Sequence, residues 1–428
     1  MNRARRLIHA PLVADAESVL SMPGAVLLEH DRIVAAGSPE SIGQPEDAEV
    51  TVLENEAVLP GLVNAHTHLD LSHIGPVPFG GSFTGWIELV RQRRAVEATA
   101  IAAATDHGIA LALAGGCAAV GDVAGVGSTV PLARLRAAAI GGVSFLECFG
   151  LGSKQERTVE FLQQAVGSIP LDRDGVRLGL QPHSPYSCGP AVFAAAARLA
   201  AAHNLPICTH LAETLEELEF VRAGTGPLAE MLRGFGAWEP GVGGQGDHPV
   251  AILAEVLAAI PFLLAHVNYA GPREFATLAA CGARVVYCPR ASAYFGHAGH
   301  PYRELLAAGI EVALGTDSLL CLDTPDRLGT LDEMRFLHRR DGTDPRLLLR
   351  MATTAGARAL GLAADSFTLR PGRPAGVLAV PIANPAESPH ATLAAVLRGD
   401  RPPRWVLPPG RPACLPDQAA VVPDGFTA

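Results

Sequence analysis

A chain of 428 residues that is 49% hydrophobic and 18% charged can bury one large core with an accessory module, and wholesale disorder is excluded. A net charge of −10 with no basic block argues against a nucleic-acid partner, so the expected partner is a small-molecule substrate. The basic start has no apolar segment behind it, no run is long enough to span a bilayer, and eight scattered cysteines form no CxxC pair; a cytoplasmic protein with reduced thiols is expected.

The first 60 residues read as short strands broken by turns, in "RRLIHAPLVA", "GAVLLEHDRIVAAGS" and "EVTVLENEAVLP". From residue 61 short β-rich apolar runs alternate with alanine- and leucine-rich stretches of helical period. Eight such runs are expected to be buried strands, at 61–66, 117–123, 142–150, 176–183, 205–210, 261–267, 283–289 and 311–317. Helices lie between them, as at 191–203 and 272–282. Eight βα units predict a (β/α)8 barrel over residues 60–365, with its site at the C-terminal strand ends. A doubly wound sheet would bring a glycine-rich phosphate loop after its first strand, and none is present. Beyond "TTAGARALGL" the chain turns proline-rich and extended like its beginning. Residues 1–59 and 366–428 are therefore expected to build one small β-sandwich beside the barrel.

The polar residues closing these strands carry the chemistry. Strand one ends in His66 and His68, strand four in His183, strand five in His210, strand six in His266 and strand eight in Asp317. One histidine after an apolar run is ordinarily structural, held by a backbone carbonyl. Several converging on one rim would be costly to bury without a shared partner, and imidazoles with a carboxylate suit a divalent cation such as Zn²⁺ or Fe²⁺. Some metal-dependent barrels bridge two cations with a carboxylated lysine at the end of strand four. Here that strand ends "LQPHSPYS", and the only lysine, Lys154, lies in a turn after strand three, so one cation is expected. Glu213, three residues beyond His210, either favours a helix N-terminus or shuttles a proton to a bound substrate.

The segments "PGLVNAHTHLDLS", "HSPYSC", "THLAETLEE", "LLAHVNY", "CPRASAYFG" and "ALGTDSLL" together resemble the amidohydrolase superfamily, in its mononuclear deaminase branch. The resemblance implies that His66, His68, His210 and Asp317 bind the metal. It also implies that His266 and Asp317 orient the attacking water and that Glu213 protonates the ring nitrogen beside the aminated carbon. The stretch "HTHLDLSHIGPVPFGGSFTGWIELVRQRR" is similar to the first-strand region of aminodeoxyfutalosine deaminases of a menaquinone route, through Asp70, Ser72, Phe83, Trp86 and Arg94. That similarity implies an adenine nucleoside bearing a carboxyphenyl ketone at its 5′ end. Phe83 and Trp86 are then expected to pack the tail, Arg290 to pair with its carboxylate, and His183 to contact the ribose or ring. Each of Trp86 and Arg290 has an equally ordinary structural reading, as core packing and as a rim ion pair. His297 and His300 either support the residues of the site from behind or are loop histidines, and the loop reading is the expected one.

Three other functions remain open on the sequence. One is deamination of methylthioadenosine, adenosylhomocysteine or guanine. Another is hydrolysis of a carbon–chlorine or amide bond on the same scaffold. The third, a non-catalytic assembly protein, predicts a broken ligand set, whereas every expected ligand is present. A homo-oligomer is compatible with the chain.

Overall fold

The computed structural model describes residues 5–171, 175–384 and 386–412. Residues 1–4 and 413–428 of the expected composite module, with Cys414, lie outside the described residues. Each of the eight expected apolar runs contains a strand: β1 (Leu62–Thr67), β2 (Cys117–Ala124), β3 (Gly141–Cys148), β4 (Val176–Pro182), β5 (Cys208–Leu211), β6 (Leu263–His266), β7 (Arg284–Tyr287) and β8 (Val312–Leu314). Apart from Arg284, every residue in them is buried, as expected of parallel strands covered on both faces.

Strands β1 to β4 pair in sequence into one parallel sheet and β5 to β8 into a second. Isolated parallel bridges join the two sheets at both seams, Leu180 to Ile207 and Thr67 to Asp317. Helices fill the connections, among them Ala98–Ala114, Gln155–Ser168, Pro190–His203 and Pro272–Ala280. Because every strand runs the same way, every C-terminal end emerges on one side. That shared polarity carries residues from distant parts of the chain to one rim.

The termini build two further sheets. One orders the strands 32–37, 24–29, 5–10 and 48–52; the other orders 404–407, 377–381, 56–60, 12–14 and 20–21 and so mixes both ends of the chain. Ile8, Val26 and Ile33 of the first sheet share one apolar core with Val13, Val58, Val377 and Leu407 of the second. The C-terminal part is not wholly extended, as the sequence suggested, because Pro389–Arg398 forms a helix. Ser388 caps it by accepting from Ala391 N–H, proline occupies its first turn, and Leu393, Val396 and Leu397 are buried. The flanking prolines had masked that apolar period. The seven described cysteines are free thiols, and no helix of the described residues is long and apolar enough to cross a membrane.

Asp15 ties the two ends of the chain together. Its buried carboxylate accepts from the N–H groups of Glu17, Ser18 and Val19 and, across 354 positions, from Leu369. Burial opposes its charge, but the Leu369, Val19 and Ser18 bonds together outweigh burial and hold the carboxyl below its ordinary range. Asp15→Ala is expected to lower unfolding stability at pH 7 by on the order of 2 kcal/mol, read from the urea midpoint. A carboxyl whose folded pKa is depressed stabilises above its unfolded pKa of about 4, so the difference between wild type and variant should shrink as pH falls below that value.

Candidate metal and active site

Six side chains from four strand ends converge in one buried cluster. His66 and His68 leave β1, His210 β5, His266 β6 and Asp317 β8, and Glu213 follows β5; all are buried. One ligand atom each from His66, His68 and His210 lie mutually within 4.8 Å, and so do those of Glu213, His266 and Asp317. The His66 ring centroid is 5.1, 5.0 and 5.4 Å from those of His68, His210 and His266, so the two groups form one cluster around it. His68 Nε2 stands 3.5 Å from Asp317 Oδ1, and His266 Nε2 stands 3.7 Å from Glu213 Oε1.

The cluster has the properties a divalent cation requires. Burial drives the pKa values of His66, His68 and His266 well below the ordinary histidine value, and that of His210 to about 3. The rings are therefore neutral and keep a lone pair for a ligand bond. His66 Nε2 is buried without a hydrogen-bond partner, an orphaned acceptor facing this group. His210 Nδ1 has the His183 carbonyl oxygen at 3.2 Å and Gln181 Nε2 at 3.3 Å as neighbours, so Nε2 is the nitrogen left for a ligand. Burial also pushes Asp317 up to about 7 in the metal-free protein. Three imidazoles with ligand atoms within 4.8 Å of one another, and the Asp317 carboxylate 3.5 Å from His68 Nε2, fit one divalent cation.

The strand ends are held in unusual backbone conformations. Ala212, His266, Val267 and Asp317 all have left-handed φ angles between 50° and 72°, which side-chain-bearing residues rarely adopt. Each turn has a specific anchor. His66 carbonyl oxygen accepts from Thr316 and Asp317 N–H at 3.0 and 3.1 Å, and Ser318 N–H donates to Asp317 Oδ1 at 2.7 Å. His300 Nε2 donates to the His266 carbonyl oxygen at 2.6 Å while its ring stacks on Tyr287 with centroids 3.8 Å apart. His300 is therefore buried support for the His266 turn, and the loop reading of it is corrected; its position between Gly299 and Pro301 hid that. His297 instead pairs with the Tyr269 hydroxyl at 3.0 Å.

Glu213 owes its placement to a residue that the sequence reading passed over. Glu217, in the first turn of the helix Leu215–Ala223, turns its buried carboxylate back to accept from Ala212 and Glu213 N–H at 2.9 and 2.8 Å. Thr214 caps the same helix by accepting from Glu217 N–H, and Asn268 Nδ2 donates to the Glu213 carbonyl oxygen at 2.9 Å. The spacing T-x-x-E just past His210 was the available signal. Burial, with the charges of Asp317 and Glu217, raises the Glu213 carboxyl well above its ordinary range, which favours its protonated form.

A cavity of about 730 Å³ opens over this cluster. Of the expected substrate-contacting residues, Phe83, Trp86 and His183 line it and Arg290 does not. Arg290 is buried, with Nε donating to Glu333 Oε1 at 2.6 Å and Nη1 to Asp323 and Thr324 at 3.0 Å. The structure shows the rim ion pair for Arg290, because the short helix Pro289–Tyr294 after β7 sets both its N–H and its guanidinium against the buried Glu333 of the helix Thr330–Asp341. Phe83 and Trp86 pack on Phe295 at 5.6 and 5.2 Å between centroids and also line the cavity. Glu147, at the end of β3, was missed although it carries the same signal as the histidines, a polar residue closing a buried run. Its Oε2 accepts from Arg94 Nη1 at 3.1 Å, and its Oε1 lies 3.8 Å from His183 Nε2. Gly125 is required beside them, since a Cβ there would strike the Arg94 guanidinium.

The chain belongs to the amidohydrolase family, which matches residues 57–407, and is a hydrolase acting on carbon–nitrogen bonds. Among its relatives, an aminodeoxyfutalosine deaminase of Deinococcus radiodurans is 32% identical over 83% of this chain and 86% of its own. A 5-methylthioadenosine/S-adenosylhomocysteine deaminase of Syntrophobacter fumaroxidans is 28% identical over 85% and 81%. Among solved structures, the Helicobacter pylori aminofutalosine deaminase in complex with methylthio-coformycin superposes with a TM-score of 0.78, at 22% identity, covering 95% of this chain and all of that one. At that identity the superposition establishes the shared fold.

His66→Ala is expected to abolish stoichiometric retention of divalent metal after dialysis while leaving the far-UV circular dichroism unchanged. Elemental analysis of both proteins checks it, and full metal retention in the variant would remove His66 from the ligand set.

Proposed function

We propose that this protein hydrolytically deaminates an adenine-type nucleoside, with aminodeoxyfutalosine as the favoured substrate. The two parallel sheets are read as one closed (β/α)8 barrel over residues 60–365, flanked by a composite β-sandwich of 1–59 and 366–428. The observation that carries the reading is the Glu213 carboxyl, buried beside His266 and Asp317 at the inner end of a long and largely apolar cavity.

A divalent cation, Zn²⁺ or Fe²⁺, held by His66, His68, His210 and Asp317 would lower the pKa of water from about 15.7 toward about 7. The other roles belong to the chain itself. His266 and Asp317 fix the direction from which water reaches the ring carbon bearing the amine. Glu213 gives its proton to the adjacent ring nitrogen, making that carbon more electrophilic, and then serves the departing amine as it leaves as ammonia. Water supplies the oxygen that stays on the ring, so the balance is amine plus water to carbonyl plus ammonia. His183, with its Nδ1 hydrogen-bonded to Ser187 at 2.7 Å and Glu147 near its Nε2, presents a fixed edge to the nucleoside. The buried Glu147 and Arg94 beside it offer an acceptor and a donor of the kind ribose hydroxyls pair with.

Methylthioadenosine or adenosylhomocysteine is the second reading, supported by the relatedness to the Syntrophobacter enzyme. Adenosylhomocysteine would bring an ammonium group to the outer cavity. The lining carboxylates among the described residues are Glu147, Glu213 and Asp317, all at or just beyond the strand ends, so that ammonium would meet no partner at the mouth.

Metal-loaded protein is expected to release ammonia from aminodeoxyfutalosine, and Glu213→Gln is expected to lower kcat by about 10²- to 10⁴-fold with metal content unchanged. Ammonia from methylthioadenosine alone would transfer the assignment to the second reading. Undiminished turnover in Glu213→Gln would remove the proton-transfer role.

A further inference from the structure

One helix face forms a wall of the cavity from its inner end to its mouth. In the helix α1 (Phe83–Arg93) and its C-terminal cap, Phe83, Trp86, Ile87, Val90, Arg91 and Arg94 all line the cavity, at steps of three, one, three, one and three residues. Such spacing keeps them on one stripe. Phe83 is buried, whereas the Arg91 side chain is 61% exposed, so the stripe runs outward. At 1.5 Å per residue, the distance from Phe83 to Arg91 is about 12 Å, longer than a nucleoside base alone needs.

The two arginines on this stripe differ in what they have to spend. Arg94 is buried between Asp70 and Glu147. Arg91 sits with its guanidinium 5.1 Å over the Phe235 ring, and Glu88 takes its Nε and Nη2, leaving Nη1 for a ligand. Around it the mouth is apolar to an unusual degree: Val96, Val126, Phe149 and Phe235 are exposed and all line the cavity. Val126 also has φ 53°, a genuine outlier for a β-branched residue, and its N–H is anchored on Glu147 Oε2 at 2.9 Å. An exposed valine held in a strained turn at a cavity mouth is what a ligand-contacting position looks like.

We propose that this outer half of the cavity is a subsite for an apolar, aromatic substituent that ends in a carboxylate, and that Arg91 is the specificity-determining residue that pairs with that carboxylate. The inference rests on the nucleoside reading above and deepens it. The base lies at the strand ends, its 5′ substituent runs along α1 between Val90 and Val126, and the anionic end reaches Arg91 over Phe235. Arg91 takes the part that the sequence suggested for Arg290.

The test compares aminodeoxyfutalosine with methylthioadenosine, which is short and uncharged at the same position, using metal-loaded wild type, Arg91→Ala and Arg91→Lys. Arg91→Ala is expected to raise KM for the carboxylated substrate about five- to tenfold with kcat preserved and to leave methylthioadenosine kinetics unchanged. Arg91→Lys should recover part of the loss, and added salt should narrow the gap between wild type and Arg91→Ala. Equal effects on both substrates, no effect on either, or turnover of methylthioadenosine alone would overturn the subsite while the deaminase reading stands. Ammonia from neither substrate in the wild type would overturn the nucleoside reading itself, and the subsite with it.

Discussion

Everything in this molecule is arranged around polar side chains that are buried together. Four imidazoles and two carboxyls from four strand ends share a space where each ionised form is costly unless a partner compensates it. That constraint sets the protonation states. Histidines are held neutral, the Glu213 carboxyl is raised well above its ordinary range and that of Asp317 is lifted to about 7. A cation in the cluster would supply the missing compensation, as the orphaned His66 Nε2 shows most directly.

Holding such a cluster requires backbone that ordinary strands do not provide. Of the seven described non-glycine residues with left-handed φ, Ala212, His266, Val267 and Asp317 stand at the strand ends and Val126 at the cavity mouth. This strain persists because neighbours over-determine it: Glu217 grips the Ala212 turn, His300 the His266 carbonyl, and Thr316 with Asn64 the approach to Asp317. The supporting groups are themselves buried and polar, so the turns that carry the site are held by a second layer of hydrogen bonds. The same logic extends outward through Glu147, which anchors Val126 and pairs with Arg94 while facing His183.

Much of this was legible before any fold was known. The eight apolar runs mark the strands because parallel strands buried on both faces need uninterrupted hydrophobic stretches. The residues that close those runs mark the rim. His66, His68, His210, His266 and Asp317 could be read this way because histidine and aspartate are conspicuous after valine, leucine and alanine. Glu147 closes β3 in the same manner and was passed over, since a lone carboxylate suggests no ligand set. Glu217 and His300 were harder. Each acts on a backbone group, and backbone partners leave no trace in residue type.

Local sequence by itself determined where the strands lie to within a few residues, which side chains follow them and what chemistry those side chains can support. These properties depend on burial pattern, residue type and strand direction, all of which are local. Tertiary structure alone decided that Arg290 spends its charge on Glu333 while Arg91 faces the cavity, and that His300 supports His266. Guanidinium and imidazole groups reach several ångströms in any direction from their own backbone. Which partner they find depends on what the rest of the chain brings within that reach, and neighbours distant in sequence settle it.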